Sequence, residues 1–260
     1  MTLTLIFAAV SSVLTALLRV NGLSLWWLFP VWVGFFLAAV VVFYALLLSG
    51  LYLFLPKTDP TPRVRRFTHR MIKLVVRWVL VMAGVRYTVT GTEKLPDTPY
   101  LLVSNHRSAF DPISTVAALK SHLVFVAKPG VLKIPILGPM LGRLCFQAID
   151  RENARNAVAT IKRSAELIRD VGLCVGIYPE GTRSKDGNLL PFHAGSFKIA
   201  KMADCPVAVV TVRYEKGLLP WGKRAHLHVA DVMEAAYVAE NNTAAMTERA
   251  EAAIRKDLGL

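Results

Sequence analysis

A histidine and an aspartate five residues apart form the first candidate reactive group of the chain. The segment Asn105-His106-Arg107-Ser108-Ala109-Phe110-Asp111 begins just past a predicted strand, and its aspartate lies where a helix should start. A carboxylate that binds one imidazole nitrogen leaves the other nitrogen free to act as a general base. The spacing also fits a helix start, because Ser108-x-x-Asp111 is a capping box and Asp111-Pro112 is a good pair for the N-cap and first helical positions. The segment alone therefore predicts either a His106–Asp111 catalytic pair or a capped polar loop.

A second polar segment, Tyr178-Pro179-Glu180-Gly181-Thr182-Arg183-Ser184, follows another predicted strand. Ligands of open α/β sheets bind beyond the carboxyl ends of the strands. In such a position Gly181 allows close backbone approach, Thr182 offers a hydroxyl, and Arg183 can bind a phosphate with two hydrogen bonds. The alternative interpretation is an ordinary polar turn.

Two further basic residues follow predicted strands: Lys128 and Arg151. Together with Arg183 they would deliver three cationic side chains from three strand ends to the neighbourhood of His106, which predicts an anion-binding pocket. The competing interpretation is that each is a solvated surface residue, the common situation for a single lysine or arginine.

Other kinds of site are not indicated. The sequence has no G-x-S-x-G nucleophile elbow, no Walker A sequence and no strand-linked G-x-G-x-x-G. The pair His226-x-His228 has no obvious third ligand. The cysteines at 145, 174 and 205 are odd in number and never form C-x-x-C, so they are interpreted as small core residues in a reducing compartment. We therefore expect no metal and no cofactor.

Short apolar runs alternate with helical patterns from residue 84 onward. We predict strands at 85–90, 100–104, 123–127, 145–149, 173–178, 207–213 and 226–230, and helices at 112–121, 153–171, 194–203 and from 243. This alternation is typical of an α/β domain, here spanning 84–260, with a mostly parallel layered sheet flanked by helices.

The amino-terminal quarter is unusually apolar. The chain has 260 residues, of which 54% are hydrophobic and only 19% charged, which excludes a disordered protein. Residues 1–18 and 23–55 carry no charge, and about 20 apolar residues suffice for a helix to span a bilayer. We predict a membrane-embedded helical segment at 1–56, either one span or a two-helix hairpin.

Positive charge follows the apolar segment directly. Residues 57–77 carry a net charge of +6, part of a formal +13 for the whole chain. Arg66, Arg70, Lys73 and Arg77 would share one helix face, with apolar residues on another, so 57–83 is predicted to be a basic amphipathic helix at the surface of anionic lipids. The alternative is that these basic residues form the solvated face of an ordinary helix in a globular domain. The cluster favours the cytoplasmic side of the cell membrane, and the absence of a recognised module argues against nucleic acid.

Taken in order, the segments within residues 85–215 resemble the motif blocks of glycerolipid acyltransferases of the lysophosphatidic acid acyltransferase type. The N-H-x-x-x-x-D block appears as Asn105, His106 and Asp111, and the F-P-E-G-T-R block as 178–183, with Tyr178 for phenylalanine. The block ending in an Asp-Arg pair appears as 146–151, the later apolar block with a proline as 205–210, and Lys128 also matches. One departure is His193-Ala194 after Pro191-Phe192, where such proteins often carry a basic pair.

The resemblance implies transfer of a fatty acyl group from acyl-CoA or acyl carrier protein to the free hydroxyl of 1-acylglycerol-3-phosphate, giving phosphatidic acid in phospholipid biosynthesis. His106 would be the general base oriented by Asp111. The substrate would be bound by Asn105, Lys128, Arg151, Glu180, Gly181, Thr182 and Arg183. The alternatives are an acyltransferase for another lysolipid, such as a lyso-aminolipid, and a catalytically silent membrane-binding protein.

Overall fold

The structure is a computed structural model that describes residues 2–20, 22, 24–54, 62–134, 137–150, 153–184, 188–216 and 222–260. The chain divides into two compact units, residues 1–55 and residues 56–260. The described part of the first unit consists of two helices and the short connection between them, and the second unit contains the sheet.

The first unit consists of α1 (Thr2–Val20) and α2 (Leu25–Phe54). The helices pack through aromatic side chains, with the ring of Phe7 6.3 Å from that of Phe36 and 5.3 Å from that of Phe43. One described helix is long and apolar enough to cross a bilayer, over Trp26–Leu47, while the apolar stretch Leu5–Arg19 is shorter.

The second unit begins with α3 (Pro62–Met82) and continues as alternating strands and helices. The strands are β1 (Val85–Thr90), β2 (Leu101–Ser104), β3 (Leu123–Ala127), β4 (Gln147–Ala148), β5 (Cys174–Ile177), β6 (Val207–Lys216) and β7 (Lys223–Met233). The helices are α4 (Asp111–Ala118), α5 (Pro129–Leu132), α6 (Leu137–Arg143), α7 (Ala154–Arg169), α8 (Lys198–Ala203), α9 (Ala235–Glu240) and α10 (Thr243–Leu258), and short 3-10 turns lie at Thr92–Lys94 and Ala194–Phe197.

The seven strands form one sheet in the order β1-β7-β6-β2-β5-β3-β4. Neighbouring strands are parallel except for β6 and β7, which pair antiparallel. The predicted mostly parallel sheet is therefore confirmed. The central strands β2 and β5 are buried along their whole length, as expected for strands covered on both faces.

Each face of the sheet has its own helical layer. Leu101, Val103 and Val175 project into the core formed with α7, α8 and α10. Leu102 and Ala208 project to the other side, where Val116 of α4 and Val76 of α3 cover them. This alternation follows from the two-residue period of a strand.

Two residues of the predicted basic face of α3 make hydrogen bonds to α4 and so stabilise the fold. Lys73 donates a hydrogen bond from Nζ to the carbonyl oxygen of Leu119, and Arg77 Nη2 donates to that of Ala117 at 3.3 Å. These carbonyls lie at the carboxyl end of α4, where cations are favourable because the last helical carbonyls lack partners.

Several predicted boundaries differ from the observed ones. The strand predicted at 145–149 is only the two-residue β4, because Cys145 adopts a left-handed φ of 67° that interrupts extended backbone. The short helices α5, α6 and α9 have no counterpart among the predicted helices. Residues 194–203 form a 3-10 turn followed by α8.

Candidate active site

The candidate site lies at the carboxyl ends of parallel strands. His106 follows β2, the segment 178–183 follows β5, and Lys128 follows β3. Since β2 pairs with β5 and β5 pairs with β3, all in parallel, these strand ends lie along one edge of the sheet. That edge is where ligands bind in open α/β sheets.

His106 and Asp111 lie within hydrogen-bonding distance. His106 Nδ1 is 2.8 Å from Asp111 Oδ2. The histidine side chain is 19% exposed, whereas the aspartate side chain is fully buried. A buried carboxylate that binds Nδ1 fixes the ring orientation and leaves Nε2 as the nitrogen able to accept a proton.

The Asp111 carboxylate has three further donors. Its Oδ2 accepts hydrogen bonds from the backbone amides of Arg107 at 2.7 Å and Ser108 at 2.8 Å, and its Oδ1 accepts one from the Tyr214 hydroxyl at 2.6 Å. The bond from Ser108 closes a turn just before α4, but Asp111 is the first residue of α4 and the N-cap is Phe110, which has no described side-chain cap, so the predicted capping box and the predicted N-cap are wrong for this helix. One carboxylate both closes the turn before α4 and contacts His106.

Asn105 extends the sheet beyond the end of β2. Its side chain accepts a hydrogen bond from the Val212 amide at 2.7 Å and donates one to the Val212 carbonyl at 3.0 Å. The side-chain amide thus substitutes for a backbone partner on β6. This fastens the His106 segment to β6, which suits a structural role for Asn105 better than direct contact with a substrate.

Glu180 braces the two loops of the site. Its Oε1 accepts a hydrogen bond from the His106 amide at 2.6 Å, and its Oε2 accepts one from the Leu190 amide at 3.1 Å. The side chain is buried, and this burial raises the pKa of Glu180 above its ordinary value, although the two amide donors act in the opposite direction. Glu180 therefore ties β5, the His106 loop and the segment near 190 together.

Three rings stack through the site. The ring of His106 lies 4.3 Å from that of Tyr178 at an interplanar angle of 19°, and Tyr178 lies 5.4 Å from Phe125 at 6°. Burial raises the pKa of the Tyr178 phenol well above its ordinary value. The stack supports the imidazole from the side of the sheet.

Two of the three predicted cationic residues are described by the structure. Lys128 and Arg183 lie at the same sheet edge as His106, and both are exposed. Arg151 lies outside the described residues. Thr182 is exposed beside Arg183, and Gly181 adopts a φ of 72°, which favours glycine at this turn.

The described residues contain no group of three or more histidine, cysteine or acidic side chains that could hold a metal ion. His226 and His228 instead pair through Nδ1 with Thr88 and Thr90 of β1, at 2.7 Å and 2.8 Å. The three cysteines are buried, and none of them is in a disulfide.

Sequence reasoning missed two contributors to the site. Tyr214 is 103 positions from Asp111 and belongs to no recognised motif. Glu251 on α10 accepts a hydrogen bond from the Phe192 amide at 2.6 Å and so holds the segment that reaches Glu180. Nothing in the local sequence pattern indicates either contact.

The layered, mostly parallel sheet carries the His106–Asp111 pair at its carboxyl edge, and comparison with known proteins identifies the chain as an acyltransferase domain. The family model described as Acyltransferase matches residues 86–214. The solved 1-acyl-sn-glycerophosphate acyltransferase PlsC of Thermotoga maritima has the same fold, with a TM-score of 0.68 and 20% identity over 86% of this chain and 91% of that one.

Curated relatives narrow the class further. A chloroplastic 1-acyl-sn-glycerol-3-phosphate acyltransferase of Brassica napus is 35% identical over 65% of this chain and 49% of that protein. A probable 1-acyl-sn-glycerol-3-phosphate acyltransferase of Mycoplasma genitalium is 31% identical over 79% of this chain and 74% of that protein. The chain belongs to the 1-acyl-sn-glycerol-3-phosphate acyltransferase family. It spans about half the length of the first curated relatives that it matches.

Proposed function

We propose that the protein transfers a fatty acyl group from an acyl thioester to the free hydroxyl of 1-acylglycerol-3-phosphate, giving phosphatidic acid. The observation that carries this proposal is the 2.8 Å contact between His106 Nδ1 and the fully buried Asp111 carboxylate at the carboxyl edge of the sheet. Membership of the family supplies the reaction class, and relatives at 31% and 35% identity are described as acting on this acceptor.

The chemistry needs one general base. His106 Nε2 removes the proton of the acceptor hydroxyl as its oxygen attacks the thioester carbonyl, and Asp111 stabilises the resulting imidazolium. Collapse of the tetrahedral intermediate breaks the carbon–sulfur bond, and the thiolate takes the proton back from the imidazolium. The thioester is already activated, so no covalent acyl-enzyme is required.

Cationic side chains at the same edge would bind the acceptor phosphate. Lys128 and Arg183 are exposed there, and Arg151 is proposed as the third cation from its place after β4. Thr182 and Gly181 would line the same pocket, with Asn105 and Glu180 holding its walls. Multiple cationic hydrogen bonds to a phosphate are strong and depend on geometry.

Attachment to the cell membrane would bring lipid substrates to this edge. The span Trp26–Leu47 and the net +6 of residues 57–77 support a membrane-anchored protein whose basic segment faces anionic lipids on the cytoplasmic side. Both acyl-CoA, with its phosphates, and the acidic acyl carrier protein suit a basic surface as donor.

The test is a thiol-release assay on the full chain with both donors and a panel of lysolipids. Wild-type protein should release thiol only when 1-acylglycerol-3-phosphate is present. His106→Ala and Asp111→Ala should lower kcat at least about 1000-fold, while membrane expression is unchanged.

A matched control is His228→Ala, which removes a histidine of β7 that pairs with Thr90 of β1, away from the His106 site. Full activity in His106→Ala would overturn the base assignment. Thiol release without any lysolipid would indicate a hydrolase, and lipid binding without thiol release would indicate a silent membrane-binding protein.

A second candidate acceptor is a lysolipid without a free phosphate monoester, such as a lyso-aminolipid. It is favoured by one observation, namely that the exposed His193 and the half-buried Ala194 stand where related proteins often carry a basic pair. Arg183→Ala separates the two candidates. For a phosphate acceptor the KM should rise about tenfold or more, whereas Arg169→Ala, at the opposite edge of the sheet, should leave KM unchanged.

A further inference from the structure

Besides His106 and Asp111, the site contains the phenol of Tyr214, a residue that lies outside the recognised motifs. The Tyr214 hydroxyl donates a 2.6 Å hydrogen bond to Asp111 Oδ1, the carboxylate oxygen that does not face His106. Both oxygens of the buried carboxylate thus have donors: the imidazole and two amides bind one, and among the described residues this phenol binds the other.

The position of Tyr214 is a consequence of strand length. β2 ends at Ser104, opposite Val210, whereas β6 continues to residue 216. Asn105 holds β6 at Val212, and Tyr214 lies two residues further along, on the same face because side chains alternate along a strand. The extension of β6 beyond the sheet edge therefore delivers the phenol over the start of α4.

We propose that Tyr214 is a positioning residue of the His106–Asp111 pair. Its hydrogen bond holds the carboxylate in the rotamer that presents Oδ2 to the imidazole, and it withdraws negative charge from that oxygen. The proposal rests on the proposed function, in which His106 is the base.

The phenol is suited to act as a permanent donor. Burial and the adjacent Asp111 carboxylate raise the pKa of Tyr214 far above its ordinary value, so the hydroxyl stays protonated throughout the working pH range. The titratable or charged groups that face the Asp111–Tyr214 pair are His106 from the loop after β2, Tyr178 and Glu180 from the end of β5, and Lys223 of β7, whose Nζ is 5.7 Å from the Tyr214 ring centre.

Removal of the hydroxyl has a definite direction. In Tyr214→Phe the carboxylate keeps more charge on Oδ2 and stabilises the imidazolium form of His106 more strongly. A protonated imidazole cannot act as the base. The acidic limb of the kcat/KM profile should therefore move upward by about half a pH unit, and kcat should fall about tenfold because a hydrogen bond to a charged group is lost.

The experiment compares the full-length wild type with Tyr214→Phe, Tyr87→Phe and His106→Ala in the thiol-release assay from pH 5.5 to 9. Tyr87→Phe is the matched control, because its hydroxyl contacts the Ala117 carbonyl at the other end of α4, at 3.3 Å. Only Tyr214→Phe should show the lower kcat and the shifted limb, with KM for the acceptor within about twofold of wild type.

The outcomes separate this proposal from the one on which it rests. An unchanged pH profile in Tyr214→Phe, whether or not kcat falls, overturns the positioning role. A raised KM with unchanged kcat also overturns it, because the hydroxyl would then contact the substrate directly. Activity retained in His106→Ala instead refutes the proposed function itself.

Discussion

The carboxylate of Asp111 is the centre of the hydrogen-bond network in the site. Its carboxylate receives hydrogen bonds from four donors: the His106 ring, two backbone amides and the Tyr214 hydroxyl. A fully buried carboxylate without such donors would be strongly disfavoured in its charged form. Both oxygens of this buried carboxylate therefore have hydrogen-bond donors.

Gly176 determines whether the ring stack can form. A Cβ atom at this position of β5 would lie 2.3 Å from the Phe125 ring, which supports Tyr178 and, through it, His106. Gly176→Ala should therefore displace Phe125, lower the free energy of unfolding by about 1–3 kcal/mol and reduce kcat. Chemical unfolding and the thiol-release assay measure the two effects.

Gly195→Ala is the matched control, because a Cβ there meets no atom within 4 Å. Its unfolding free energy should stay close to that of the wild type. Equal stability of the Gly176 and Gly195 variants would show that the Phe125 ring is not held in place by the close approach of β5.

At the scale of elements, α3 has two different apolar sides. Ile72, Val76 and Leu80 recur every four residues and pack against the sheet and α4. Phe67, Leu74 and Val81 recur every seven residues and remain 59%, 52% and 69% exposed. A seven-residue repeat keeps side chains on one side of a helix, so these three form a continuous outer stripe.

The outer stripe of α3 predicts a contact with lipid. Leu74→Glu combined with Val81→Glu should lower kcat/KM for an acceptor in phospholipid vesicles about five- to tenfold, because two apolar side chains no longer enter the interface. The rate with a short-chain acceptor dissolved in detergent should be unchanged. Val158→Glu, on the similarly exposed Val158 of α7, is the control. Equal losses on vesicles and in detergent would argue against the lipid contact.

His69 lies where α3 meets the loop after α4, and it should make the stability of the protein depend on pH. Burial, reinforced by the charge of Lys73, lowers the pKa of His69 to about 4, and its buried Nε2 has no hydrogen-bond partner among the described residues. The ordinary pKa of His69 is 6.5. Below pH 6.5 the histidine therefore binds a proton in the unfolded chain but not in the folded chain. The free energy of unfolding should therefore fall as pH decreases from 6.5 to 4, by about 1–2 kcal/mol after allowance for solvent screening.

His69→Gln should remove most of this acid-side loss while keeping a polar side chain beside the Lys120 carbonyl. The measurement is chemical unfolding in detergent micelles at pH 7 and pH 4.5. His193→Gln, at an exposed position, should retain the wild-type difference between the two pH values. The same loss in His69→Gln as in the wild type would exclude His69 as its source.

At the scale of the whole molecule, charge and hydrophobicity are separated along the chain. The uncharged residues 23–55 precede the segment 57–77, with its net charge of +6, and the residues after it. Short basic segments next to an apolar span are retained on the cytoplasmic side. The arrangement predicts that α3 and the domain after it face the cytoplasm.

Thiol labelling tests this orientation, because the three native cysteines are buried. Arg70→Cys introduces one thiol at an exposed position of α3. A membrane-impermeant maleimide should label it only after the cells are permeabilised, and the parent chain should stay unlabelled in both conditions. Labelling in intact cells would place α3 on the outer side of the membrane.

Local patterns in the sequence determine the elements and the order of the motifs. The strand at 123–127 and the start of the final helix at 243 agree with the structure, because two-residue and 3.6-residue periods depend only on neighbouring residues. The spacing of His106 and Asp111 likewise indicates a contact within one turn, and the structure puts the two groups 2.8 Å apart.

Tertiary structure alone decides the contacts between distant segments. Tyr214 reaches Asp111 only because β6 extends beyond β2, and Glu180 braces His106 only because β5 lies next to β2. Similarly, Lys73 caps α4 because α3 packs against it, although its sequence context suggests a lipid-facing cation. Strand order, strand length and helix packing are set by burial of the whole core, so no local pattern could reveal these pairings.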